Sequence, residues 1–246
     1  MNNRIDLSKI DIVYPVRKLA EGNSELRYSL RSVAKNLPHR NVWVVGEEID
    51  WLGSLVRFMP AEDEGKAFAN VNQKLLAAVE NDLISDPFVF MMDDIFVMKE
   101  VNDIPYYAIG RTLTERARTY DVYGRYWRDL DETQQILWFL RQPDIDFEAH
   151  APILFQKAGL RRILKKYPTS GHRRTLYGNI FKKKPTYVSD FKIYEEDVEP
   201  DAETPYISTC VESWRESSKT YQLVTSEFAE PCEYERAEEI KVKEEN

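Results

Sequence analysis

Over the first hundred residues, short runs of bulky apolar residues alternate with amphipathic stripes, and this alternation restricts the fold more than any other feature. Residues 10–16 form an Ile/Val-rich run that reads as a strand. Leu26, Leu30, Val33, Ala34 and Leu37 then recur on one stripe of a 3.6-residue period. Asn23 or Ser24 is placed to cap that helix, and Pro38 lies just beyond it. Residues 42–45 are bulky on both faces, the pattern of a parallel strand covered on both sides. Residues 56–59 offer a third strand, and a helix is expected over 66–81 with Phe68, Val71, Leu75, Leu76 and Val79 on one face. Residues 88–92 and 95–98 are again strongly apolar. Strand, helix, strand, helix, strand at these spacings predicts an α/β fold with a mostly parallel central sheet.

The second half is less regular. Residues 131–141 read as a helix with Asp131 and Gln134 as a capping pair. Pro152 is expected to start a helix that runs to about residue 166, and residues 169–179 read as a loop containing Gly171 and Gly178. The organisation expected is an α/β half over 1–110, a helical, basic part of the same domain over 111–226, and an acidic, flexible tail over 227–246. No run reaches the roughly eighteen apolar residues of a membrane span, and the N-terminal residues lack a signal core, so a cytoplasmic protein with no membrane partner is expected. Two cysteines, Cys210 and Cys232, read as free thiols.

Charge is unevenly distributed. The net charge is −8, and residues 227–246 hold eight acids against three bases. Residues 157–184 hold ten Lys or Arg and no acid. Arg161, Arg162, Arg173, Arg174 and Lys182 in that stretch are candidate acceptor or phosphate contacts, interleaved with Tyr167, His172, Tyr177 and Phe181. The same stretch is equally compatible with a solvated helix face followed by a loop.

Two clusters of polar residues could carry chemistry. Asp93 and Asp94 stand between two apolar strands, where burying them unpaired would cost several kcal/mol each, on the order known for buried ions. Carboxylates beyond the C-terminal end of a strand in an open α/β sheet suit Mg²⁺ or Mn²⁺ bridging a diphosphate. A plain hairpin turn is the alternative. If residues 146–150 are extended, Asp146, Glu148 and His150 share one face and could ligate a metal or take a proton from a hydroxyl. Asn72 falls on the apolar stripe of its helix, so its amide has a buried hydrogen-bonding role or lies at a cleft rim. There is no Gly-x-Gly-x-x-Gly, no Walker-type loop, no Gly-x-Ser-x-Gly and no paired Cys-x-x-Cys.

Several segments in order resemble the Stealth family of sugar-phosphate transferases. They are the strand over 10–16 followed by ELRYSLRS at 25–32, NVWVV at 41–45 with Trp51-Leu52, FMMDDIF at 90–96, and His150-Ala-Pro152 before a basic helix. The chain is also similar to small bacteriophage glycosyltransferases with Arg-Thr-Leu-Tyr-Gly-Asn elements, here residues 174–179. The resemblance spans roughly residues 10–190. It implies a GT-A-like nucleotide-sugar fold and a divalent cation, Mn²⁺ or Mg²⁺, held by Asp93, Asp94 and His150. Tyr14, Pro15, Arg17, Arg27, Asn72 and Asp93 would line the donor site, and Asp94, Glu148 and His150 would be catalytic. Met92 departs from the pattern, standing where a full Asp-x-Asp motif has its first Asp. The function expected is a metal-dependent glycosyltransferase using a nucleotide-sugar, a UDP-sugar favoured. Its expected acceptor is a hydroxymethylated pyrimidine in DNA, or otherwise a glycan. A hexose-1-phosphate transferase and a non-catalytic nucleic-acid-binding module are the alternatives.

Overall fold

The computed structural model describes residues 5–17, 19, 22–63, 67–119, 124–201 and 203–236. Five strands make the central sheet: β1 (Ile12–Val16), β2 (Val42–Gly46), β3 (Arg57–Pro60), β4 (Phe88–Phe90) and β7 (Ile153–Phe155). Their order is β3-β2-β1-β4-β7. β1 runs parallel to both β2 and β4, β2 parallel to β3, and β7 antiparallel to β4. The chain therefore builds outward from β1 in both directions, which places a topological switch point between β1 and β4.

The sheet is covered on both faces, as its uninterrupted apolar strands require. Ile12, Tyr14 and Val16 point to one face with Val42 and Val44, where they pack on Leu26, Leu30 and Val33 of α1 (Ser24–Asn36). Val13, Trp43 and Val45 point to the other face, against Leu75, Ala78 and Val79 of α2 (Ala67–Glu80). That second face continues into Leu160, Ile163 and Leu164 of α5 (Lys157–Lys166) and Leu176 and Tyr177 of α6 (Arg173–Ile180). Each of these fully buried aliphatic side chains contributes about 1.5–3 kcal/mol of transfer free energy.

Two short ribbons flank the sheet. β5 (Ile95–Val97) pairs antiparallel with β9 (Tyr206–Ser208), and β6 (Tyr106–Ile109) pairs parallel with β8 (Pro185–Val188). Among the described residues the remaining α-helices are α3 (Leu113–Ala117), α4 (Arg125–Phe139) and α7 (Lys219–Glu227). Among the described residues no helix is long and apolar enough to cross a membrane, and Cys210 and Cys232 are free.

Several local expectations are corrected. Asn23 does not cap α1 through its side chain; it takes a left-handed backbone (φ 56°), and its amide ties Leu19 to Arg17. Asp131 lies inside α4, which begins six positions earlier, so it is no cap. Pro152 leads into β7, because Ile153–Phe155 finds pairing partners in Phe88–Phe90, and the helix starts only at Lys157. Residues 173–179, read as loop, lie in α6. Gly178 sits in that helix because the Phe147 ring occupies the space a Cβ would need. The expected tail begins as ordered structure: α7 ends at Glu227, Phe228 and Tyr234 are buried, and Glu235 is 4% exposed. Residues 237–246 lie outside the described residues.

Candidate active site

β4 ends at Phe90, and the chain passes through Met91 and Met92 into a turn at Asp93 and Asp94 before re-entering the protein as β5. The turn is therefore at the C-terminal edge of the parallel sheet, beside the switch point. What brings other groups to it is the β5–β9 ribbon. Ile95 pairs with Ser208, Thr209 donates its N–H to the Asp94 carbonyl at 3.0 Å, and Ser208 bridges in parallel to Lys192. Lys192 Nζ consequently lies 2.7 Å from an Asp94 carboxylate oxygen, with side-chain exposures of 14% and 21%.

Two residues earlier, Asp190 receives the His150 imidazole. Nδ1 lies 2.9 and 3.1 Å from its two carboxylate oxygens. Burial opposes the charge on Asp190, but the His150 contact holds its carboxyl below the usual range. His150 takes a left-handed backbone (φ 38°), a conformation uncommon in residues other than glycine and found often at functional sites. Of the face expected over 146–150, Glu148 and His150 both line the cavity described below, and Asp146 does not. Asp146 turns inward to a buried ion pair with Arg116 at 2.9 Å, and Glu148 accepts the N–H of Thr175 at 3.1 Å, at the first turn of α6.

α6 supplies the positive charge. Arg173 and Arg174 are each 6% exposed, and both guanidiniums lie over the Phe90 ring, at 5.3 and 5.1 Å. Arg173 donates to the Gly171 carbonyl at 3.1 Å and Arg174 to that of Ala151, while the buried Arg173 Nε has no partner. Among the described residues neither guanidinium has a carboxylate within ion-pair distance. Burial pulls Arg173 down to about 10 and also lowers Arg174. Glu148 offsets them at longer range: burial works against its charge, yet His172, Arg174 and Arg173 hold its carboxyl below the ordinary range. Phe68, Phe90, Met92, Asp94, Tyr126, Glu148, His150, Gly171, His172, Arg173, Arg174 and Lys192 enclose a cavity of about 220 Å³.

On the other side of the turn, Glu25 in the first turn of α1 accepts from Thr209 Oγ1 at 2.6 Å. Burial, with Asp94 and Asp93 adding to it, pushes Glu25 up to about 7. Burial and the Asp94 charge push Asp93 up to about 6.

Of the residues named from the sequence, Asp94, Glu148, His150, Arg173 and Arg174 meet in this cavity, with Asp93 adjoining. The others do not. Tyr14 is fully buried with its hydroxyl 2.9 Å from Ser29, and Pro15 is buried in β1. Arg17 is exposed at the end of β1. Arg27 stacks on Trp51 at 4.6 Å and faces Glu235 at 3.5 Å. Asn72 takes the buried structural role, donating to the Pro168 and Ser170 carbonyls at 2.8 and 2.9 Å. The basic stretch does not form one face. Arg161 donates to Val79, Lys157 to Asn81 and Ile84, and Lys165 pairs with Glu80, because α5 packs on α2. Arg162 and Lys182 are exposed away from the cavity.

The expected cation ligands Asp93, Asp94 and His150 are not gathered for a metal. Asp94 is taken by Lys192, and although Asp190 on Nδ1 leaves His150 Nε2 open, among the described residues no group of three His, Cys, Asp or Glu side chains is placed to hold one. The residues present therefore do not fit that ion.

Lys192, Asp190 and Glu25 were missed in the sequence. The first two lie two apart around Phe191, a spacing that puts both on one side of an extended segment. Glu25 carried the signal of an acid in a helix first turn just after a strand.

No family model matches the chain, and no curated protein matches it. Solved structures do. The galactosyltransferase LgtC in complex with donor and acceptor sugar analogues superposes with a TM-score of 0.55 at 13% identity, over 90% of this chain and 96% of that one. An active-site mutant of LgtC gives 0.53 at 12%, over 89% and 95%. The bifunctional glycosyltransferase WbbM gives 0.51 at 11%, covering 93% of this chain and 51% of its own. At such identities the likeness defines a fold, and the fold is that of GT-A glycosyltransferases.

Proposed function

We propose that the chain is a nucleotide-sugar-dependent glycosyltransferase whose donor diphosphate lies on Arg173 and Arg174. The observation that carries this reading is the pair of buried guanidiniums without a paired carboxylate at the switch point of a GT-A-like sheet. Buried cations in such a place are complemented by an anionic ligand. A cavity of about 220 Å³ is smaller than the roughly 300–1,000 Å³ of whole small-molecule sites. On this reading it holds the phosphates, and the rest of the donor lies outside it.

The chemistry follows from these contacts. Transfer breaks the bond between the anomeric carbon and the phosphate oxygen and forms one to the acceptor oxygen. Arg173 and Arg174 stabilise the charge that develops on the departing nucleoside diphosphate, the contribution that usually dominates in such steps. The acceptor hydroxyl loses a proton, which on this reading His150 takes. Asp190 on Nδ1 orients the ring and fixes the tautomer, which leaves Nε2 as the basic atom. Glu148, engaged with α6 and offsetting the two guanidiniums, keeps them in place and is not the base. The Mn²⁺ or Mg²⁺ ion implied by the Stealth resemblance enters no step.

The donor favoured is a UDP-sugar, on the same resemblance. For the acceptor, a DNA hydroxymethylpyrimidine is supported only by Arg162, Lys165, Lys166, Lys182 and Lys184, the exposed members of the basic stretch; a glycan hydroxyl needs none of them. Thermal shift with UDP-, GDP- and CDP-sugars tests the reading. One nucleotide class is expected to raise the midpoint of the wild type and not of Arg174→Met. No shift with any donor would contradict it. DNA affinity that falls steeply with salt would support the nucleic-acid acceptor, and a flat response would point to a glycan.

A further inference from the structure

We infer that Lys192 takes the place of the divalent cation, so that donor diphosphate binding in this protein is independent of metal. The inference rests on the transferase reading above and concerns the same site. Three observations converge. Met92, which lines the cavity, is a thioether where an Asp-x-Asp arrangement would offer a carboxylate, and thioethers are poor ligands for hard cations such as Mg²⁺. Asp94, the remaining carboxylate of that arrangement on the cavity wall, is held at 2.7 Å by Lys192 Nζ. Lys192, Arg173 and Arg174 line one cavity of about 220 Å³, so three fixed positive charges already face the space a diphosphate would fill.

The anchoring of Lys192 is built into the fold. Ile193 donates to the Ser208 carbonyl at 2.8 Å, and Ser208 donates to the Phe191 carbonyl at 3.0 Å, which clamps the segment on β9 on both sides of the lysine. Ser208 Oγ also reaches the Asp94 carboxylate, at 3.4 Å. Asp94 thus positions an ammonium instead of ligating a metal. Lysine is a compact point charge with three donors, so it can keep Asp94 and still contact a phosphate oxygen.

Titration calorimetry with inorganic pyrophosphate, in EDTA and then in Mn²⁺ or Mg²⁺, tests this. The wild type is expected to bind in EDTA, with an affinity that added metal changes less than twofold. Lys192→Met is expected to weaken pyrophosphate by about 30-fold, the lower end for truncating a buried charge partner. Lys192→Arg should restore most of the loss, with circular dichroism showing that both variants fold. Binding that appears only with a divalent cation would overturn the inference and leave the transferase reading standing. So would a Lys192→Met protein that binds as well as the wild type. Metal-free pyrophosphate binding without transfer from any nucleotide-sugar would instead remove the transferase reading and leave Lys192 as part of an anion site.

Discussion

Arg31 meets both carboxylate oxygens of Glu235, 204 positions later in the chain, at 2.6 and 2.7 Å. The two side chains are 3% and 1% exposed, and the remaining Arg31 nitrogen donates to the Phe228 and Ala229 carbonyls. A bidentate pair of this kind fixes the C-terminal strap onto α1, the helix that also carries Glu25. Glu235→Ala should destabilise the protein by about 3–5 kcal/mol, because it leaves a guanidinium buried without its counter-charge. Chemical denaturation with an unchanged m-value checks this. Cutting the chain after residue 226, which the acidic composition invites, should be at least as damaging.

Asp11 fastens the opposite edge of the sheet. Its carboxylate is fully buried and accepts from Arg40, Asn41, Trp43 and the Ser85 N–H. Burial opposes its charge, but these donors, Arg40 first, hold the carboxyl below the ordinary range. A depressed carboxyl stabilises the fold at neutral pH, and that stabilisation disappears as pH falls below about 4. Asp11→Asn should lower the midpoint at pH 7 and narrow the gap to wild type at pH 3.

Glu25 has the opposite sign. Its carboxyl is raised to about 7 from an ordinary value of 4.5, so the folded state holds a proton that the unfolded chain releases. Stability is therefore expected to decline as pH rises between those values. Glu25→Gln should be close to neutral at pH 5 and stabilising at pH 8 in thermal melts. Equal effects at both pH values would contradict the burial of this group beside Asp93 and Asp94.

Arg173 is expected to separate stability from function. Its guanidinium is buried and disfavoured as a cation, down to about 10. Arg173→Met should raise the ligand-free midpoint by about 3 °C, as relief of a few tenths to one kcal/mol does in a domain of this size. The same variant should lose at least tenfold in nucleoside diphosphate affinity, measured by calorimetry.

The doubly covered β1 and β2, the stripes of α1 and α2 and the turn at Asp93-Asp94 were legible because each is a local pattern of hydrophobicity and its interruption. The basic stretch misled for a physical reason. Charge counting along the chain cannot show that Arg173 and Arg174 turn inward over Phe90 while Arg161 and Lys157 bond to backbone carbonyls. Lys192 and Asp190 were invisible because their roles depend on the pairing of β9 with β5 and on the bridge from Ser208, both long-range contacts. Residues 146–150 are not a strand: Asp146 accepts the Glu148 N–H at 3.0 Å and the His150 backbone is left-handed, and nothing in the residue types around them announces that.

The most direct test of the transferase reading is the leaving group. Purified protein would be incubated with each nucleotide-sugar and acceptor candidate, and the released nucleotide resolved by ion-exchange chromatography. Cleavage between the anomeric carbon and the phosphate oxygen releases a nucleoside diphosphate, and its rate should fall by at least about 100-fold in His150→Ala if that residue is the base. Release of nucleoside monophosphate would instead identify a sugar-phosphate transferase, and no release with any donor would contradict the assignment of Arg173 and Arg174 to a donor diphosphate.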